Sequence, residues 1–97
     1  MLLFSGSVTA VVDVIINGGF ESGNTGFTSS YAYVPPQQSN CFNEETYSIS
    51  GNANDCHGSW DNVGPRTGSL FFYTNGGPNA GVSVWNQTFI GVPGATY

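Results

Sequence analysis

The chain has 97 residues, of which 39% are hydrophobic and 14% aromatic, enough for one globular domain with a modest core and not for two. Only 7% of residues are charged, Arg66 is the single cation, and the net charge is −5. That balance makes nucleic acid and anionic membrane surfaces poor partners, and no apolar stretch is long enough to span a membrane as a helix.

Residues 2–16 open the chain with period-2 patterning. Leu2, Phe4, Gly6, Val8, Ala10, Val12, Val14 and Ile16 fall on one side, and on the other, mixed side Ser5, Ser7, Thr9 and Asp13 stand among Leu3, Val11 and Ile15. This predicts an extended segment with one buried face. Fifteen residues would span roughly 50 Å, where sandwich strands run about 17–20 Å, so half of it should outrun its own domain. The division expected is a long N-terminal strand at 1–16, a candidate intersubunit arm, and a β-sandwich domain at 17–97. A rival reading takes Leu2, Leu3 and Phe4, followed by Val8-Thr9-Ala10, as the remnant of a secretion signal.

Asn17-Gly18-Gly19 is a turn, and 22–26 is a loop from which Phe27 returns to the core. Short strands are expected at 30–34, closed by Pro35-Pro36, and at 45–50. Residues 51–58 form a long turn. The run 69–74, with Leu70, Phe71, Phe72 and Tyr73, should be a central strand, and 82–90 the last one. Leu70, Phe72, Val82, Val84, Val12 and Val14 are the predicted core, sealed by Phe20 and Phe27. No helical period exceeds a turn. The fold class expected is all-β, an antiparallel sandwich or jelly roll.

Cys41 and Cys56 enclose fourteen residues, and an even count in a low-charge, turn-rich chain favours a disulfide over two buried thiols. With His57 they could also offer three zinc ligands, but the fourth is missing. His57, Ser59 and Asp55 or Asp61 supply the residue types of a hydrolytic triad. Neighbours on one loop rarely converge in that way, and no G-x-S-x-G elbow is present. Glu44, Glu45, Asp55 and Asp61 show no spacing that singles out a glycosidase pair. No enzyme is expected. Asn86-Gln87-Thr88 is a glycosylation sequon, with Asn86 the acceptor.

Asn17-Gly18-Gly19-Phe20-Glu21, Gly23-Asn24-Thr25-Gly26-Phe27, Thr46-Tyr47, His57-Gly58-Ser59-Trp60, Val84-Trp85-Asn86-Gln87-Thr88 and Gly94-Ala95-Thr96-Tyr97 follow one another in order. Together they resemble a group of bacterial extracellular proteins with a galactose-binding-like jelly roll, exosortase-sorted through a PEP-type C-terminal anchor. The opening is also similar to that of related carbohydrate-binding modules. The resemblance covers about 17–97 and implies a jelly roll at the cell surface or outside the cell. It also implies a structural calcium near the first turn, for which Asn17 and Glu21 are the candidate ligands. The anchor is not seen, and such domains normally continue past the position of Tyr97.

Sugar binding uses exposed aromatic faces beside amide donors, and Trp60, Tyr31, Tyr33 and Gln87 are the candidates; Trp85 reads as core. Two functions are therefore carried forward. One is a non-catalytic, secreted structural protein that self-assembles with copies of itself by strand addition, with Leu2, Phe4, Val8 and Ala10 as the intersubunit strand. The other is a carbohydrate-binding module, whose partner would be polysaccharide. A chain that is simply a piece of a longer protein is the plain alternative to the assembly reading.

Overall fold

The computed structural model describes residues 13–36, 41 and 43–97. The proposed strand residues Leu2, Phe4, Val8 and Ala10, and Val12 of the predicted core, lie outside the described residues.

Three strands form the sheet: β1 (Ala32–Tyr33), β2 (Thr46–Ser50) and β3 (Phe71–Asn75), in the order β1-β2-β3. β1 runs parallel to β2, and β2 runs antiparallel to β3. One 3₁₀ turn, Ala53–Asp55, is capped by Asn52, whose side chain accepts the amide of Asn54. Among the described residues there is no α-helix; they are strand and coil around a small mixed sheet, consistent with the all-β class. No described helix is long and apolar enough to cross a membrane.

β2 is buried along its whole length, and its alternation separates two different environments. Tyr47 and Ile49 share a face with Phe72, the register partner of Ile49. Against that face pack the rings of Phe20 and Phe27, 5.7 Å apart and edge to face, each also within 6 Å of Phe72. Tyr47 stacks on Phe72 at 4.9 Å. Aromatic pairs of this kind add about 0.5–1.5 kcal/mol each beyond their area. Phe20 and Phe27 thus seal this face, as the sequence leads one to expect. Phe20 does so with a φ of 60°, an uncommon conformation for a bulky residue, held by its amide on the Asn17 carbonyl.

The other face of β2 carries Thr46, Ser48 and Ser50, all buried. Thr46 Oγ1 donates to the carbonyls of Cys41 and Asn43, and Ser50 Oγ to that of Asn52. Ser48 Oγ is fully enclosed and has no partner. The disulfide Cys41–Cys56 lies buried beside this loop system, its Cα atoms 5.3 Å apart. Glu45 enters β2 with φ 60°, and both it and Thr46 oppose Asn75, the arrangement of a β-bulge.

Several expectations change. The sheet is mixed rather than antiparallel, and the run 69–74, expected as a central strand, supplies β3 at the edge of the described sheet, with β2 at its centre. Residues 13–16 are not strand: Asp13 Oδ1 takes the amide of Ile15, and Ile16 bonds to a side chain, so this backbone joins no ladder. Residues 82–90 form no strand either, only a bridge between Thr28 and Asn86. The physical reason lies in the run 28–34. The amides of Thr28 and Ser30 pair with Asn86 and Ser83, but those of Ala32 and Val34, on the same side, go to Glu45 and Tyr47. Continued antiparallel from Thr28 and Asn86, the run would bring Val82 opposite Ala32, and there β2 takes its place. Finally, Leu70, Phe72, Val82, Val84 and Val14 are only half-buried, and Trp85 is 37% exposed rather than core, its ring stacked on Phe27.

Candidate functional site

The two sheet edges differ, and the difference begins in the sequence. β1 has two residues and is followed by Pro35-Pro36, which have no amide to offer. Just before it, Ser29 Oγ accepts the amide of Tyr31, one of the donors on the outward side of 28–34. This edge is blunted. β3 has five residues. Phe71, Tyr73 and Asn75 are register partners of Ser50, Ser48 and Thr46, whose main-chain groups face β3 because the carbonyl of Tyr47, which accepts the Val34 amide, faces β1. By alternation the amides and carbonyls of Phe72 and Thr74 point outward. Among the described residues no strand pairs with that edge.

At the other end of the aromatic face, Gly26, Phe27, Thr28, Asn86, Gln87 and Thr88 line a shallow cleft of about 290 Å³. Gln87 closes its floor. Its Oε1 accepts the amide of Ile16 at 3.0 Å, and its Nε2 donates to the carbonyls of Ile16, at 2.9 Å, and Gly26. Asn86, the sequon residue, is exposed, while its main chain is bonded in both directions to Thr28.

Asn17 and Glu21 organise the first turn. Asn17 Nδ2 donates to the carbonyls of Gly23 and Thr25, and its Oδ1 accepts the amide of Ser22. Glu21 Oε1 accepts the amides of Ser69 and Leu70 at 2.8 and 2.9 Å, which ties the turn to the start of β3. One carboxylate engaged with two amides supplies little of the six to eight oxygens that calcium takes. The described residues contain no group of three or more His, Cys, Asp or Glu placed to hold a metal.

The aromatic residues named for sugar binding do not converge. Tyr33 packs on Tyr47 at 5.4 Å, on the face of Phe72. Tyr31 accepts the amide of Gly77 with its hydroxyl. Trp60 meets Tyr73 edge-on at 6.3 Å, on the opposite face of the sheet. Gln87 is engaged at Ile16. His57 Nδ1 accepts the main-chain amide of Ser59, a turn contact that does not involve the Ser59 hydroxyl.

Gln87 and Glu21 are both candidates of the sequence, but as sugar and calcium ligands; here Gln87 is a clamp on Ile16, and Glu21 takes the amides of Ser69 and Leu70, the plain alternative to calcium. An exposed, stacked Trp85 was legible only as one more apolar residue in an alternating run. No protein-family model, curated protein or solved structure matches this chain.

Proposed function

We propose that this chain is a non-catalytic, extracellular structural protein that assembles with copies of itself by strand addition. In this reading its sheet belongs to a jelly-roll sandwich whose open edge takes a strand from a neighbour. One observation carries the proposal: the outward main-chain groups of Phe72 and Thr74 on β3 meet no strand among the described residues, whereas the β1 edge is blunted. Unpaired amides and carbonyls are a template for another strand. Residues 2–10 have the alternation to fill it, with Leu2, Phe4, Val8 and Ala10 on one side. Donor and acceptor surfaces differ, so the contact is head-to-tail and an open filament follows. Few charges oppose close stacking. The disulfide is compatible with an oxidising, extracellular compartment.

Deleting residues 1–7 tests this by sedimentation and electron microscopy. The full chain should form particles that the shortened chain does not. Identical particles of unchanged stability would overturn the proposal.

A carbohydrate-binding module is the second reading, favoured by the cleft at 26–28 and 86–88 with Trp85 beside it, partly exposed. Such a module is monomeric and binds glycans, so binding to a glycan panel by a monomeric chain would select it.

A further inference from the structure

The outward edge of β3 has a boundary, and a side chain of the first turn sets it. Phe72 and Thr74 direct their main-chain groups away from β2. The next amide in that series, going back along the chain, is that of Leu70, and it is already bonded. Glu21 Oε1 accepts it at 2.9 Å, together with the neighbouring amide of Ser69 at 2.8 Å. Consecutive amides of an extended strand point to opposite sides, so two that converge on one oxygen mark a chain that has turned. The approach is shaped for this carboxylate. Gly68 has a φ of 73°, and a Cβ there would overlap Glu21 Oε1. Phe20, next to Glu21, packs its ring on Phe72 at 5.5 Å, so consecutive residues of the first turn reach the face and the edge of one strand.

We propose that Glu21 is the stop of the acceptor edge: it confines a strand of a second copy to the main-chain groups of Phe72 and Thr74, and so fixes the register of the added strand. This rests on the strand-addition reading above and names a specificity-determining residue for it. Slipping by two residues keeps every side chain on its own face, so the pattern of faces alone does not forbid it. A filled donor at Leu70 does. Glu21 is exposed, and a charge at a sheet edge is a device by which natural proteins limit pairing. With six acidic residues and one cation in 97 residues, few segments of a second copy would bring a charge beside it. The carboxylate therefore acts on the main chain, as a competing acceptor, and limits the length of the ladder.

Amide hydrogen exchange on the full chain, free and assembled, tests this. Two variants accompany it: Glu21→Ala removes the carboxylate, and Gly68→Ala displaces it from the other side. In free wild type the amides of Leu70 and Tyr73 should exchange slowly and those of Phe72 and Thr74 fast. Assembly should slow Phe72 and Thr74 and leave Leu70 as it was. In either variant Leu70 should exchange fast in the free chain and slowly once assembled. The concentration for half-assembly should then fall about threefold to tenfold, the worth of one added hydrogen bond. If assembly slows Phe72 and Thr74 while both variants keep the wild-type pattern at Leu70, Glu21 is not the stop and strand addition stands. Should neither variant fold, wild type decides alone: Leu70 slowed further by assembly would mean that the ladder runs past Glu21, and the inference fails. If wild type stays monomeric, or assembles with Phe72 and Thr74 exchanging as before, the strand-addition reading itself fails.

Discussion

Gln87 and Ile16, separated by 71 positions in sequence, are joined by two hydrogen bonds in the pattern of a strand pair, although neither residue belongs to a strand. The third bond of Gln87, to the Gly26 carbonyl, draws the first turn into the same knot. Asn17 holds that turn from within, and Glu21 fixes its far end to Ser69 and Leu70. Polar side chains therefore do at this end of the molecule what a longer sheet would otherwise do. The consequence is a first turn fixed by three amide or carboxylate side chains rather than by a ladder.

The disulfide is the first property open to test. It closes a loop of 15 positions that contains the whole of β2. Replacing both Cys41 and Cys56 with Ala should lower stability by about 3 kcal/mol on the chain-entropy account. Urea unfolding of the double variant, and of wild type with and without reductant, measures it; coincident transitions would show that the loop is held by its other contacts.

Ser48 and Ser50 sit two positions apart on one buried face and should respond oppositely to the same change. Ser48 Oγ has no partner, so Ser48→Ala removes a desolvated hydroxyl and should be neutral or stabilising by up to about 1 kcal/mol. Ser50 Oγ donates to Asn52 and shares a 2.9 Å bond with the Tyr73 hydroxyl, so Ser50→Ala should cost about 1–2 kcal/mol. Equal losses in urea unfolding would mean that Ser48 is partnered in solution.

Much of the sheet was legible from local pattern. The strands expected at 45–50 and 69–74 lie within a residue or two of β2 and β3, because alternation and flanking turns are local signals. Phe20 and Phe27 were legible as seals because each follows a glycine turn and has no other place to bury a ring. What failed was whatever depends on competition for a partner. The run 82–90 has strand composition, but β2 holds the amide of Ala32 that its first residue would have needed. The candidate sugar residues do not share one surface: Tyr33 and Trp60 both read as exposed aromatics, yet they lie on opposite faces of the sheet. No spacing in the chain shows which face a loop will cover.

Tyr47 makes stability sensitive to alkali. Burial pushes its phenol above the ordinary value of 10.0; its hydrogen bond to Asn24 works in the other direction, and the neighbouring Tyr33 raises it further. The folded state therefore holds this proton more tightly than the unfolded chain does. Its stabilising contribution is fully present below pH 10.0 and is lost as pH rises through the higher folded value. Stability measured across that window should fall for wild type and fall less for Tyr47→Phe, which keeps the ring and removes the proton. Parallel curves for the two proteins would assign the alkaline loss to other tyrosines.

The β3 edge can be closed by a change at one residue, Thr74. Its main-chain amide points away from β2 by the register of the sheet, so Thr74→Pro removes an outward donor and no bond to β2. The substitution also deletes the hydroxyl that donates to the Thr46 carbonyl at 2.8 Å, so Thr74→Val, which loses the same hydroxyl and keeps the amide, is the control. Both variants should fold, with an intact disulfide and similar near-ultraviolet circular dichroism. On the assembly reading they then part: Thr74→Val forms particles like wild type, and Thr74→Pro leaves chains that can donate a strand but not receive one. Mixed into wild type, Thr74→Pro should therefore stop growth at one end and shorten the particles in proportion to its share, as a donor with no acceptor must. A folded Thr74→Pro that assembles as well as Thr74→Val would place the contact elsewhere and remove the β3 edge from the mechanism.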